Sequence, residues 1–459
     1  VEVLHPATGR RAFIRGIEFD GDTLEIPRDS VRVPGALSFA RPDWLPQEGG
    51  ILYVPGSTRL ARMELASRIG KRAVFDSLPS GTLPEVRYTQ GGTDTSSLRM
   101  VREVPVRPGA TDAVHPFADW SGKARVLVNT SASGVPIAQA VTAFPLLVRL
   151  APPVFDPASA SADGRDLRFA KPDGTPLPHA VETWGASEAA VWVRMDTVHA
   201  GESGQHVSMH WGNPAAMAPL GMPPVFDTAA GFAGVWHLGE GAADTVADGL
   251  YKDATPAGNH ADDRVASAGI PAQIGRGAAL DSGDYIRVPR ASEALRLPGG
   301  FTLSTWFRSG APLGPNGGEM ISVGDNYGIR LGRNGRLQVF FWPVASPPGA
   351  QEPWYTLVSQ GADFLDGRWH LAQGTFDGSA LRLYLDGQDL GALTVPGPVD
   401  FKFPINLTLG RHGNGKAGFD YRGDLDEVQV HARARGIDWH KLSYENQKPG
   451  SGFPSLAKP

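Results

Sequence analysis

Three acids stand almost side by side near the end of the chain: Asp424, Asp426 and Glu427. In an extended strand, residues two apart point to one face. Asp424 and Asp426 therefore share a face, and Glu427 points away from them. A retaining glycoside hydrolase needs two carboxyl groups about 5–5.5 Å apart on its substrate. The Asp-x-Asp-Glu pattern serves that chemistry poorly. A calcium ion, which takes oxygens from carboxylates and carbonyls, is the better use of Asp426. The bland alternative is an acid that caps a strand end or pairs with an arginine.

A second group is aromatic. Phe340-Phe341-Trp342-Pro343 and Pro353-Trp354-Tyr355 flank a loop rich in Pro, Gly and Ser. Flat aromatic faces present large area at low entropic cost, and they suit the C–H faces of sugars. Trp342, Trp354 and Tyr355 are the candidate ligand-binding residues. The competing reading buries alternate members of the run, such as Phe340 and Trp342, in a core.

Two further patterns carry less. Gly410-Arg411-His412-Gly413-Asn414-Gly415-Lys416-Ala417 follows a strand-like run and mimics a phosphate loop. It ends in Ala417, without the hydroxyl that would meet Mg²⁺, and no helical pattern follows. It reads as a Gly-rich hairpin loop. His206, Ser208 and His210 share one strand face opposite Val207, Met209 and Trp211, and read as a solvent face over a buried one. The pattern lacks a third metal ligand. No serine nucleophile elbow or dinucleotide fingerprint is present.

Turn-dense elements must position these groups. The 459 residues include 57 glycines and 39 prolines, about a fifth of the chain. That frequency of punctuation breaks long helices and supplies tight turns. The 43 basic and 48 acidic residues give a net charge of −5, so no polybasic surface for nucleic acid is expected. The chain has no cysteine, which excludes disulfides and thiolate metal sites. The charge-free windows at 126–148 and 203–226 hold too many prolines and polar residues to cross a membrane. Val1 in place of a methionine points to a processed or truncated product.

Residues 1–112 show short strand-like runs that stop at Pro or at Asp20-Gly21-Asp22, and read as a mostly-β domain of unassigned type. Residues 59–69 fit a short helix or a strand equally. Segment 93–118 has the composition of a linker. From 113 to 222 the runs 144–150, 165–169 and 190–194 alternate with Asp163-Gly164 and Asp173-Gly174 turns, as in a small β-sandwich. The words DGRDLRF, PLP, VWV and WGNP resemble a bacterial domain of unknown function that often stands beside laminin-G-like domains. That resemblance implies a β-sandwich outside the cytoplasm and carries no catalytic residues.

Residues 223–447 contain RWHLA, TFDG, LRLYLDG, LGR and GDLDEVQV in that order, and resemble a concanavalin A-like laminin-G domain. The resemblance implies a jelly roll of two sheets. It also implies a structural calcium bridge from the last strand to an early loop, with Asp253 joining Asp426 as metal ligand. WHKLSYENQKPG at 439–450 resembles the usual closing segment; 448–459 is read as a C-terminal tail, in which 451–459 is expected to be mobile or to lead to a deleted region.

The reading is therefore all-β: tandem β-sandwich domains with a C-terminal concanavalin A-like jelly roll. The expected function is non-enzymatic recognition of a glycan or cell surface by a periplasmic, surface-bound or secreted bacterial protein. The expected partner is a glycan or a cell-envelope protein, with any membrane anchor outside these residues. One alternative is a structural or protein-interaction part of an envelope assembly associated with a proton-channel system. A second is a glycoside hydrolase.

Overall fold

The computed structural model describes residues 120–214, 222–240, 247–267, 269–289, 293–345, 353–361 and 363–458, together with Phe117 and Ala216. Before Phe117 it describes strands only.

In the N-terminal region, Arg99–Val106 pairs antiparallel with Gly81–Tyr88, and Thr111–Val114 pairs parallel with Gly35–Ala40. These strands correct the linker expected at 93–118. Val104 and Val106 are buried, so alternation within the strand overrode a linker-like composition. A domain boundary at 112 would cut the strand Thr111–Val114. Within 59–69 the described pieces, Met63–Glu64 and Ser67–Ile69, are strands.

The small sandwich has two sheets. One runs Arg168–Ala170, His206–Trp211, Gly122–Leu127 and Ser455–Ala457, and the other runs Val141–Leu150, Ala189–Val198 and His179–Trp184. The Asp-Gly turns behave as read: Gly164, Gly174, Gly367, Gly378 and Gly387 all have positive φ, which costs glycine nothing.

The tail is paired and packed rather than loose. Ser455–Ala457 pairs antiparallel with Arg125–Leu127, so the chain's end completes a sheet of the small sandwich. Phe453 sits in that sandwich's core. The same core takes Val225, Phe226, Phe232 and Val235, all beyond the boundary expected at 222.

The jelly roll stacks two eight-stranded sheets. In Phe301–Arg308, Phe301, Leu303 and Phe307 enter its core, as the alternation requires. Trp306 faces the other way and is also buried, because the helix Ile437–Gln447 covers that side; its indole Nε1 donates to Gln447 Oε1 at 2.7 Å. The same helix packs on the edge strand Val141–Leu150 of the small sandwich. Asp438 Oδ2 accepts from Gln139 N, and Arg149 Nη2 donates to the carbonyls of Gln273 and Gln447. One helix thus fastens the two sandwiches together. No described helix is long and apolar enough to cross a membrane.

Candidate ligand-binding site

The aromatic run forms a hairpin. Leu337–Phe341 pairs with Tyr355–Val358, with Phe341 opposite Tyr355. Both of these rings turn into the jelly-roll core, 5.6 Å apart. Residues one step outward take the opposite face of a pleated pair. Trp342 and Trp354 do so: both are half-buried, with ring centroids 5.8 Å apart and planes at 48°. Tyr355, expected at the ligand face, is only 9% exposed. Its place in the core corrects that expectation.

Trp342 is held firmly. Its N–H donates to Asn326 O at 2.7 Å, and its carbonyl accepts from Asp400 N at 2.8 Å. Phe403 meets its ring edge-on at 5.2 Å, and Lys402 Nζ lies 5.3 Å from its ring centroid. Lys402 also reaches Asp400 at 3.5 Å. The result is a fixed indole with a second indole, an ammonium and a carboxylate beside it. Lys402 and Asp400 lie about 60 residues from Trp342 and just under 50 from Trp354, and carry no motif. Residues 346–352, between the two strands in sequence, lie outside the described residues.

The acids of the last strand are placed differently. Asp424 Oδ2 accepts from Arg308 Nε at 2.6 Å. Asp426 is fully buried; its Oδ2 accepts from Ile274 N at 2.9 Å. Burial first, then Glu427, holds the Asp426 carboxyl well above the usual range. Asp426 lies out of reach of a polysaccharide, and Asp424 is half-buried and paired with Arg308.

Asp253 does not fit a calcium ion. Its Oδ1 accepts from Val235 N and Thr255 N, and its Oδ2 from Thr255 Oγ1 and Asn259 N, at 2.9–3.1 Å. A carboxylate offers about four lone-pair sites, and all are taken. Asp253 and Asp426 are also absent from the described groups of side chains that converge closely enough to hold a cation. Asp253 is thus a carboxylate that ties a loop to the strand Phe232–Trp236.

The Gly-rich loop after Leu407–Leu409 connects the two sheets rather than closing a hairpin: Leu407–Leu409 and Gly423–His431 belong to different sheets. His206 and Ser208 are half-buried as a solvent-side pair, but His210 is buried against Phe117, 5.2 Å between rings. Phe117 covers His210 on that face.

Comparison with known proteins agrees with the architecture. Residues 280–438 match the family model of the concanavalin A-like lectin/glucanases superfamily. The C-terminal region is a concanavalin A-like domain. Residues 163–234 match a domain of unknown function, DUF2341. That match ends inside the strand Phe232–Trp236, where the two sandwiches share residues. No curated protein matches the chain.

Among solved structures, the binding domain of Paraclostridial Mosquitocidal Protein 1 is 13% identical, with 47% of this chain and 52% of that chain covered and a TM-score of 0.36. The match thus spans about half of that chain. Domain 4 of an extracellular arabinanase from Geobacillus stearothermophilus, in complex with arabinotriose, is 19% identical (39% and 81% covered, TM-score 0.32). The IT-sialidase CBM40 of Ruminococcus gnavus, bound to alpha2,3 sialyllactose, is 15% identical (38% and 96% covered, TM-score 0.29).

Proposed function

We propose that this chain is a non-enzymatic binding protein, set outside the cytoplasm, whose jelly roll recognises a glycan on the Trp342–Trp354 face. The observation that carries this reading is the pair of half-buried indoles at one hairpin mouth. Trp342 is already immobilised by Phe403 and by two backbone hydrogen bonds, so little ordering entropy opposes stacking. Lys402 and Asp400 supply a donor and an acceptor for hydroxyl groups beside the ring. The ion-paired Asp424 and the buried Asp426 support a non-enzymatic role for the acids of the last strand.

The test is a glycan array on the full chain, followed by calorimetry on the best binder. Trp342→Ala and Trp354→Ala each weaken binding about tenfold or more while the chain stays folded. Tyr355→Ala lowers stability instead, because it opens a core cavity. An array without a binder, or tryptophan variants with unchanged affinity, would sink the proposal.

A further inference from the structure

The last strand, Gly423–His431, has an irregularity at its middle. Along one edge, Ser304 pairs with Gln429 and Trp306 with Asp426, so Glu427 and Val428 together stand opposite Thr305. This is a β-bulge, and Glu427 occupies it at φ +52°. Along the other edge the partner changes: Arg276–Leu280 pairs with 423–425, and Phe232–Trp236 with 428–431. Asp426 and Glu427 therefore sit where the ladder is open on one side and bulged on the other.

His237 and Glu182 reach this gap. His237 follows the strand Phe232–Trp236, and Glu182 comes from the small sandwich, on His179–Trp184. His237 Nδ1 lies 2.8 Å from Glu427 Oε1 and 3.2 Å from Glu182 Oε2. A ligand atom from each of the three side chains lies within 4.8 Å of the others. One imidazole and two carboxylates are a donor set for a divalent first-row ion.

The locus gathers carboxylates around one imidazole: Glu427, Glu182 and Glu240 all act on His237. Arg149 acts on Asp426 and Glu427 through its charge alone, since its Nη2 donates to the carbonyls of Gln273 and Gln447. Two buried oxygens remain without a hydrogen-bond partner: Glu427 Oε2 and Asp426 Oδ1. Glu427 is 1% exposed, so water does not solvate that oxygen from bulk.

An approach exists. His237 and Glu182, with Met222, Phe226 and Ala254, line a cavity of about 390 Å³ on the small-sandwich side. A metal held by three protein ligands keeps its fourth position open to such a space. The other described cluster, Glu319, Asp325 and His412, differs: Arg330 already supplies a cation 3.7 Å from Glu319 Oε1.

We propose that Glu182, His237 and Glu427 form a divalent transition-metal site that joins the small sandwich to the jelly roll. The ion takes the place of the proton on His237 Nδ1 and gives Glu427 Oε2 its missing partner. Because its ligands come from both sandwiches, it stabilises their docked arrangement.

The test uses Zn²⁺ alone on the full chain, stripped with a chelator and then dialysed. Expected are one Zn²⁺ bound per chain by elemental analysis and calorimetry, and a chelator-reversible rise in melting temperature. Ca²⁺ in excess does not compete. Glu427→Gln and His237→Gln weaken zinc at least about tenfold, and Trp342→Ala does not. Should the buried variants fail to fold, Glu182→Gln, at the cavity side, decides on its own. Absence of zinc binding by the folded chain, or unaltered binding in Glu182→Gln, overturns the site.

Discussion

Asn446 binds both backbone groups of Leu147. Its Oδ1 accepts from Leu147 N at 2.7 Å, and its Nδ2 donates to Leu147 O at 2.8 Å. Val141–Leu150 is an edge strand, and an uncovered edge invites pairing with another chain. The helix Ile437–Gln447 covers that edge, and the Asn446 amide stands in for the missing strand.

Asn446→Ala leaves a buried N–H and C=O without partners. Each costs about 1–3 kcal/mol, so the variant is expected to lose about 2–6 kcal/mol in chemical denaturation. Loss of cooperativity is also expected, since this helix joins the two sandwiches. A single unshifted transition would show that the contact contributes nothing to docking.

The chain's end gives a second prediction. Phe453 is buried in the small-sandwich core, and Ser455–Ala457 closes the edge of Gly122–Leu127. Phe453→Ala removes a packed ring and costs about 3 kcal/mol. Removal of 451–459 costs more, and frees the amides of 125–127 that pair with the tail. Hydrogen exchange localises the effect: protection falls in 122–127 while Phe301–Arg308 stays protected. Unchanged protection in 122–127 would contradict the pairing.

Much of this architecture is legible in the sequence because it is local. Alternation in Phe301–Phe307 and Leu381–Leu385, and glycine after Asp at 163, 173, 366, 377 and 386, need only a few neighbouring residues. The tail strand is three residues long, too short for a period, and its partner is some 330 residues away. Tyr355 and Trp354 differ by one position, and one step in register exchanges core for surface. The bulge at Glu427 escapes because a positive φ is expected of Gly or Asn, not Glu. It brings Glu427 to His237, from which a regular strand could not be read to turn it.

Asp253 yields a prediction that separates a structural carboxylate from a calcium ligand. Asp253→Ala strips acceptors from the N–H groups of Val235, Thr255 and Asn259. The expected loss is about 2–4 kcal/mol. Because the four bonds saturate the carboxylate, adding Ca²⁺ or a chelator leaves the stability gap between native and variant chains unchanged. A gap that widens with Ca²⁺ would restore Asp253 as a metal ligand.

The last prediction concerns acid. His440 is fully buried on the helix, stacked on Tyr384 at 3.9 Å, with Nε2 donating to Arg435 O at 3.0 Å. Burial first, and the Arg435 charge in addition, bring its pKa down to about 3 against the hydrogen bond to the Arg435 carbonyl. The folded chain therefore holds His440 neutral, while the unfolded chain protonates it below about 6.5. Below that pH the unfolded state binds the extra proton, so the stability His440 contributes is present above about 6.5 and is lost as pH falls toward 3. From pH 7 to pH 5 the loss is about 2 kcal/mol from this residue. His440→Phe keeps the ring against Tyr384 and removes the titration. Its overall stability falls at pH 7 through the lost hydrogen bond, but its further loss between pH 7 and pH 5 is smaller than the native chain's by that amount. Equal losses in the two proteins, measured by urea denaturation at both pH values, would show that His440 is protonated in the folded state.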